Sequence, residues 1–360
     1  MSEAAQTRIP GRSLEERLLE ATVGALELFG VYLGDRLGLY RELRDPEGVT
    51  FAALARRAAI HPRYAREWLE QQAVAGVLVV DDATSPAELR RYHLPEAHAR
   101  VVDRPDDAAH LAPLARMVVG IGGVIEEVVH AYRHGGGVPY SHYGPDFRHG
   151  QGGINRPAFT TSLVEEWIPA MPGVAERLAR GGRVADLGCG HGWSAIAVAR
   201  AFPRARVYGI DADAASVDEA RAIAARAGAS VRFECASAEA LAGAGPFDLV
   251  MLLEVLHDLA QPEIVLADAR RALAPGGAVL VADEAVAPEF AAPGDDLERM
   301  MYGWSITHCL PTQMADRPSA AIGTVIREST VRDLAGQSGF GRVEVLPVNG
   351  GFFRLYELRP

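Results

Sequence analysis

The sequence predicts an α/β protein with a helical N-terminal region, and three observations support this fold class. A short apolar run, residues 184–187, ends in three alternating glycines. A second strand-like run, residues 206–210, ends at Asp211. Residues 14–43 instead carry apolar side chains at helical spacing. Strand-like runs that alternate with helical segments favour a mostly parallel sheet, here in the C-terminal half.

The N-terminal region has the pattern of a winged helix. Thr50 is a candidate N-cap of one helix, and a second helix has Pro62 in its first turn and Gly76 at its end. Strand-like residues 77–80 and 91–94 follow. Arginines on the second helix could contact DNA, but neighbouring acids offset them. The net charge of −11 and the pI near 5.5 make nucleic acid an unfavourable partner.

The middle of the chain is predicted to be helical with a glycine-rich break. Residues 111–132 form one long apolar helix, and residues 135–145 have the composition of a mobile loop. Tyr140, Tyr143 and Trp167 could cover a cofactor, or they could pack the junction between domains. The sequence leaves both interpretations open.

The glycine turn predicts a nucleotide-type cofactor. Gly188, Gly190 and Gly192 lack Cβ atoms, so backbone can approach a ligand closely, and Asp211 could accept the hydroxyls of a ribose. A dinucleotide fingerprint needs a further glycine where Trp193 stands. The chain has no lysine, which excludes a P-loop. A cofactor with a ribose but no pyrophosphate remains.

The C-terminal half resembles class I S-adenosylmethionine-dependent methyltransferases. Asp186 and the glycine turn resemble the first motif of that family, and Asp211 resembles its ribose-binding acid. Residues 232–241, 246–254 and 273–281 resemble the third, fourth and fifth strands with their turns. The resemblance implies a Rossmann-like, seven-stranded, mostly parallel sheet. Its antiparallel C-terminal edge would be the hairpin predicted near the end of the chain.

The resemblance also implies a set of residues that bind S-adenosylmethionine. Ser237 departs from the pattern, because the family usually has an aspartate there, near the adenine amino group. The implied set is Asp186, Gly188, Cys189, Gly190, Gly192, Asp211, Ala212, Ser237, Ala238, Glu254 and Tyr140.

Catalysis is expected from the segment after the fourth strand. Glu254 leaves the strand and His257 follows one turn later, so both can face the cleft. Related small-molecule O-methyltransferases have a His-Asp pair at this place, here His257 and Asp258, whose histidine is the general base. We therefore expect O-methylation of a small molecule with His257 as base, and histidine titrates near neutral pH.

A second histidine leaves a metal-dependent alternative open. His308 lies in the insertion after strand five, which commonly roofs the acceptor pocket in this family. Some bacterial members hold Fe²⁺ with two histidines and methylate the α-carbon of 2-oxo acids. Glu254, His257 and His308 would form a two-histidine, one-carboxylate set that suits non-haem iron.

We expect three regions: a winged-helix dimerisation domain (residues 1–106), a helical linker and active-site lid (107–172) and a methyltransferase domain (173–360). The resemblance implies a homodimer and a small-molecule acceptor. Three cysteines without paired spacing, and no apolar stretch long enough for a bilayer, predict a cytoplasmic protein without a membrane partner. A DNA-binding regulator that senses S-adenosylmethionine is the alternative of another class.

Overall fold

The computed structural model describes residues 13–241 and 243–360. The described chain divides into two compact units. The first runs to Val119 and includes His149–Pro157, and the second comprises Gly120–Arg148 and Ala158–Pro360. The three-region division expected from the sequence stays a prediction.

The first unit is a small helical domain with a two-stranded wing. Its core is formed by large apolar side chains such as Leu54, Leu69 and Tyr40. Its elements are α1 (Leu14–Arg36), α2 (Leu39–Glu42), α3 (Phe51–Arg57), α4 (Pro62–Val74), β1 (Val79–Val80), β2 (Tyr92–His93) and α5 (Glu96–Val102). β1 and β2 pair antiparallel, so the predicted helix-turn-helix and wing are confirmed, with shorter strands than expected.

Local signals explain where these helices begin and end. Ser13 and Glu16 form a capping box at the start of α1. The Thr50 hydroxyl accepts a hydrogen bond from the backbone N–H of Ala53, which confirms the predicted N-cap. The predicted helical run over residues 14–43 is interrupted, because Gly38 has a φ of +66° and separates α1 from α2.

Two long helices, α6 (Pro113–His134) and α7 (Gly144–Pro157), lie in the middle of the chain. The predicted mobile loop between them packs against a later segment instead. The Val138 N–H donates to the carbonyl of Pro311, and the Tyr143 hydroxyl donates to the carbonyl of Thr307. A π-helical segment, Ala158–Trp167, follows α7.

The second unit contains the predicted seven-stranded sheet, in the order β5-β4-β3-β6-β7-β9-β8. The strands are β3 (Arg183–Leu187), β4 (Arg206–Asp211), β5 (Val231–Cys235), β6 (Phe247–Leu253), β7 (Leu273–Glu284), β8 (Arg342–Val345) and β9 (Phe353–Arg359). β3 to β7 are parallel, and β8 and β9 form the antiparallel edge. The expected fold class is confirmed.

Helices cover both faces of this sheet because both faces are apolar. Along β6, Leu249 and Met251 belong to one core cluster, whereas Val250 and Leu252 belong to the other. The helices are α8 (Val174–Ala179), α9 (Trp193–Ala201), α10 (Ala214–Ala227), α11 (Pro262–Arg271), α12 (Asp296–Trp304), α13 (Leu310–Gln313) and α14 (Glu328–Gln337). A second π-helical segment, Ser305–Cys309, joins α12 to α13.

The carboxyl ends of β3, β4, β6 and β7 lie at one edge of the sheet. The glycine turn follows β3, Asp211 ends β4, and Glu254 follows β6. Ligands of open α/β sheets bind at this edge. Within residues 13–241 and 243–360, the structure contains no helix with the length and apolar character needed to cross a bilayer.

Candidate active site

The turn between β3 and α9 requires glycine for two different reasons. Gly188 has a φ of +62°, and a Cβ there would lie 2.5 Å from a methyl group of Val255. Gly190, with a φ of +50°, faces open space, because a Cβ there would meet no atom within 4 Å. The turn thus packs on one side and leaves bare backbone on the other, which is a cradle for a ligand.

Asp211 is held beside this bare backbone. Its Oδ2 accepts the N–H of Gly190 at 2.7 Å, and its Oδ1 accepts the N–H of Asp213 at 2.8 Å. Burial, together with the charge of Asp213, raises the pKa of the Asp211 carboxyl. A carboxylate oxygen accepts more than one hydrogen bond, so Asp211 can also receive ribose hydroxyls.

Two other residues of the predicted cofactor set have structural partners inside the domain. Asp186 is buried, and its Oδ2 accepts the hydroxyl of Ser194 at 2.5 Å, which ties β3 to the first turn of α9. Burial raises the pKa of Asp186 to about 7. Cys189 is also buried, and burial raises the pKa of its thiol. Both side chains are therefore buried in the domain and are not exposed at the glycine turn for contact with a cofactor.

The remaining cofactor candidates follow β4 and β5. Ala212 and Ser237 are exposed, and Ala238 begins a short 3₁₀ turn. The N–H of Ala236 donates to the carbonyl of Asp211 at 2.9 Å, which brings the two loops together. Both loops therefore border the same end of the sheet as the glycine turn.

His257 is the centre of a buried cluster of acids. It lies on a 3₁₀ turn after β6 and is 3% exposed. Its Nδ1 is 2.9 Å from Oδ1 of Asp283, and its Nε2 is 3.4 Å from Oδ1 of Asp258. Burial alone would lower its pKa, but the charges of Asp283 and Asp258 hold the pKa of His257 well above its usual value.

Asp283 was not predicted from the sequence, although it is the nearer acid. It lies at the end of β7, and its Oδ1 also accepts the N–H of Glu284 at 3.0 Å. The sequence does mark this position, because two successive acids end the apolar run of β7, which pairs with β6. The pairing of β6 with β7 determines which acid reaches His257. A motif around His257 does not contain this information.

Glu254 pairs with a second unpredicted acid, Glu284. Glu254 has a φ of +60°, and its carboxyl group interacts with that of Glu284. Burial raises the pKa of Glu254 to about 7, and burial and the charge of Glu254 raise that of Glu284 well above its usual value. Both effects favour a protonated carboxyl group in this pair.

His308 lies in an aromatic cluster. Its ring centroid is 4.1 Å from that of Phe147, 4.6 Å from that of Tyr143 and 5.8 Å from that of Tyr140. Burial, and to a lesser degree the charge of His257, lowers the pKa of His308 to about 3. His308 is therefore neutral at every physiological pH.

Comparisons with known families match both units of the chain. Residues 184–277 match the family described as methyltransferase domain, and residues 24–104 match the Rv2258c-like winged helix-turn-helix domain. The chain therefore contains a methyltransferase domain that follows an N-terminal winged helix.

Solved structures share the fold over nearly the whole chain, whereas the curated sequence relatives match only part of it. The ubiquinone biosynthesis O-methyltransferase of Caulobacter sp. is 38% identical over 103 residues, which are 28% of this chain and 40% of that protein. Mitomycin 7-O-methyltransferase MmcR has a TM-score of 0.67 at 20% identity, over 96% of this chain and 97% of that one. The structure of human N-acetylserotonin methyltransferase with S-adenosylmethionine has a TM-score of 0.65 at 17% identity. The match covers 98% of this chain and 99% of that one.

The methyltransferase structure does not bring the predicted iron ligands together. Within the described residues, the one group of three whose ligand atoms lie within 4.8 Å of one another is His257, Asp258 and Cys309. Glu254 pairs with Glu284 instead. His308 faces the aromatic cluster because it is one residue from Cys309, and successive residues point in different directions on a helix.

Of the three aromatic residues singled out for a lid, Tyr140 and Tyr143 lie in the cluster around His308, whereas Trp167 does not. Tyr140 stacks edge-on against His308 and Phe147, and Asp211 is among the charges that raise its pKa, so it stands near the cofactor edge. Trp167 is fully buried against Phe353 in the core below the sheet. Trp167 therefore packs the domain and does not line the site.

Proposed function

We propose that the protein transfers a methyl group from S-adenosylmethionine to a hydroxyl oxygen of a small molecule, with His257 as general base. The observation that carries this proposal is the 2.9 Å contact between His257 and Asp283 at the carboxyl edge of the sheet. With Nδ1–H donating to Asp283, the imidazole keeps a fixed orientation and Nε2 can accept a proton. The curated relatives share only about two fifths of their length with this chain, so the activity remains our proposal.

The glycine turn and Asp211 fit the methyl donor. The open backbone at Gly190 gives room for the cofactor, and Asp211 beside it can bind the ribose hydroxyls. When bound, S-adenosylmethionine supplies a methyl group on a positively charged sulfur. Tyr140 would add an aromatic face near that cation.

The chemistry needs a base and a fixed geometry. Bound S-adenosylmethionine would give its methyl group to the acceptor oxygen and leave as S-adenosylhomocysteine, and Nε2 of His257 would take the hydroxyl proton. Orientation of the two reactants supplies most of the acceleration, and the base adds about 10²- to 10⁴-fold. Asp283 balances the charge of the imidazolium that forms.

A panel of phenols and catechols tests the proposal with methyl-labelled S-adenosylmethionine and mass spectrometry of the products. We expect O-methylated product from the wild type and a loss of about 10²-fold or more in H257N. H110N is the matched control, because His110 is also buried but belongs to the first unit. Undiminished transfer by H257N would overturn the role of the base, and absence of transfer to every hydroxyl acceptor would overturn O-methylation.

Metal-assisted C-methylation of a 2-oxo acid is the second candidate. The approach of His257, Asp258 and Cys309 favours it, although these are not the ligands predicted from the sequence. The carboxylate and the imidazole suit Fe²⁺, whereas a thiolate is a softer ligand. Metal analysis of protein purified anaerobically, beside H257A and C309A, tests this candidate, and a stoichiometric ion lost in both variants would place it first.

A DNA-binding regulator is the weaker alternative because the arginines of the second helix are already paired. Arg63 forms an ion pair with Glu67, and Arg66 forms one with Glu70 at 3.1 Å. Phosphate contacts would have to break these pairs in a chain of net charge −11. Salt-sensitive binding to duplex DNA would support a regulator.

We infer a homodimer that forms through α1. Seven large apolar side chains on this helix are between 46% and 67% exposed: Leu14, Leu18, Leu19, Val23, Leu26, Phe29 and Leu33. A groove of about 610 Å³ lies between α1 and α4, with Trp68 at its base. Monomers rarely expose so long an apolar stripe.

The free thiols Cys189, Cys235 and Cys309 support a reducing compartment such as the cytoplasm.

A further inference from the structure

Gln313 connects three backbone segments around the proposed base. Its Nε2 donates to the carbonyl of His257 at 2.9 Å and to the carbonyl of Leu259 at 2.8 Å. Its Oε1 accepts the N–H of Gly323 at 3.1 Å. The side chain is 1% exposed, and its hydrogen bonds to His257 and Gly323 are buried away from water.

The helix that carries Gln313 also contacts His257 through Cys309. Residues 309 and 313 are four apart and lie on one face of the helical stretch that continues into α13. The Cys309 thiol lies within 4.8 Å of a ring nitrogen of His257, whereas Gln313 holds the backbone of the same turn. The N–H of Ala320 donates to the carbonyl of Ala260 at 2.7 Å and adds a further connection.

The turn that carries His257 is short and is anchored by the buried side chain of Leu256 and by contacts from other segments. It has three residues, Leu256–Asp258, and its N-cap residue Val255 makes no side-chain cap. A 3₁₀ turn of this length has weak hydrogen bonds of its own, so its position depends on outside partners. Gln313 supplies two of them.

We propose that Gln313 is a positioning residue, which holds the His257 turn against the helix of residues 305–313 so that His257 meets Asp283. This inference rests on the proposed role of His257 as base. Without the amide, the carbonyls of His257 and Leu259 are left buried and unpaired, and the turn moves to find other donors. A displacement of about 1 Å can cost roughly 10²-fold in rate.

The test uses full-length protein labelled with [¹⁵N]histidine, without any ligand, and observes the imidazole N–H protons by NMR. The wild type should show a downfield Nδ1–H proton for the bond to Asp283, assigned by its loss in H257N and in D283N. Q313L keeps the volume and removes the hydrogen bonds. Q313E removes the amide donors but keeps an acceptor for Gly323, and it decides the question if Q313L does not fold.

Q72L is the matched control, because Gln72 is equally buried and hydrogen-bonds to Tyr40 in the first unit. We expect the downfield proton to be lost or shifted in Q313L and Q313E and retained in Q72L. Where an acceptor has been found, kcat should fall about 10²-fold with an unchanged KM for S-adenosylmethionine. An unchanged proton in the Gln313 variants, or its loss in Q72L as well, would overturn the inference. Because the NMR signal needs no turnover, failure of the methyl-transfer proposal is recognised separately.

Discussion

At the scale of single residues, the two acids around His257 determine at which pH it can act as a base. Asp283 and Asp258 hold the pKa of His257 well above its usual value, which favours the protonated ring. Only the deprotonated ring accepts a proton. We therefore expect the rate of methyl transfer to rise as pH increases through this raised pKa, and a pH–rate profile measures it.

The D283N variant gives the sign of this dependence. Removing the nearer carboxylate lowers the pKa of His257, so the rising limb should move to lower pH while the maximal rate falls. D258N should move it in the same direction by less, because Asp258 is 3.4 Å away against 2.9 Å for Asp283. If the rising part of the pH–rate profile of D283N lies at the same pH as in the wild type, a group other than His257 controls the rate.

Asp211 allows a prediction on cofactor affinity that does not depend on the acceptor. Asn in place of Asp211 keeps the shape but loses the charge that strengthens hydrogen bonds to ribose. Hydrogen bonds to charged groups contribute about 1.5–3 kcal/mol, so the Kd for S-adenosylhomocysteine should rise about 10- to 100-fold by calorimetry. D218N is the control, because Asp218 is an exposed acid on α10. Equal affinities of D211N and wild type would contradict the ribose role.

Local motifs were sufficient for some site residues and insufficient for others. The glycine turn, Asp211 and His257 could be predicted, because each is defined by its immediate neighbours in the sequence. Asp283 and Gln313 could not, because they reach the His257 turn through strand pairing and through a helix more than fifty residues away.

At the scale of elements, the turn between β3 and α9 tests how closely the cofactor loop is packed. Gly188 and Gly228 both have a φ of +62°, so alanine at either position has a similar left-handed backbone cost of about 1–2 kcal/mol. At Gly188 the new Cβ would also lie 2.5 Å from Val255, whereas at Gly228 it would meet nothing within 4 Å. Overpacking adds about 1–3 kcal/mol, so G188A should destabilise the protein more than G228A.

Urea unfolding of G188A and G228A measures the difference. We also expect G188A/V255A to recover part of the lost free energy of unfolding, because the smaller side chain removes the close contact. Equal midpoints for the two single variants would mean that the loop after β3 moves away at little cost. S-adenosylhomocysteine binding would then show whether the displaced loop still holds the cofactor.

Element types could be predicted from the sequence, but their interruptions could not. The central strands of the sheet have apolar runs that are buried on both faces, and the winged helix has clear caps, so both were recognised. The break after α1 is signalled locally by Gly38 alone, whereas the π-helical segments 158–167 and 305–309 have no local sequence signal. Side chains from other parts of the chain stabilise those segments, for example Tyr143 against Thr307.

At the scale of the whole molecule, the exposed apolar surface of α1 predicts association with a second copy of the chain. A stable interface buries about 800 Å² on each partner, and a stripe of large apolar side chains along 23 residues can supply it. Leu26 and Leu33 lie on this stripe and also line the groove beside α4. Burial against a second copy would remove both residues from water.

We expect the wild type to be a dimer by light scattering after gel filtration, and L26E/L33E to be a monomer, because two buried charges without partners would oppose association. L89E is the control, since Leu89 is 68% exposed in the first unit but lies outside α1. If S-adenosylhomocysteine binding is unchanged in the monomer, the cofactor site is complete in one chain. A monomeric wild type, or a double variant that remains dimeric, would assign the apolar face of α1 to another partner.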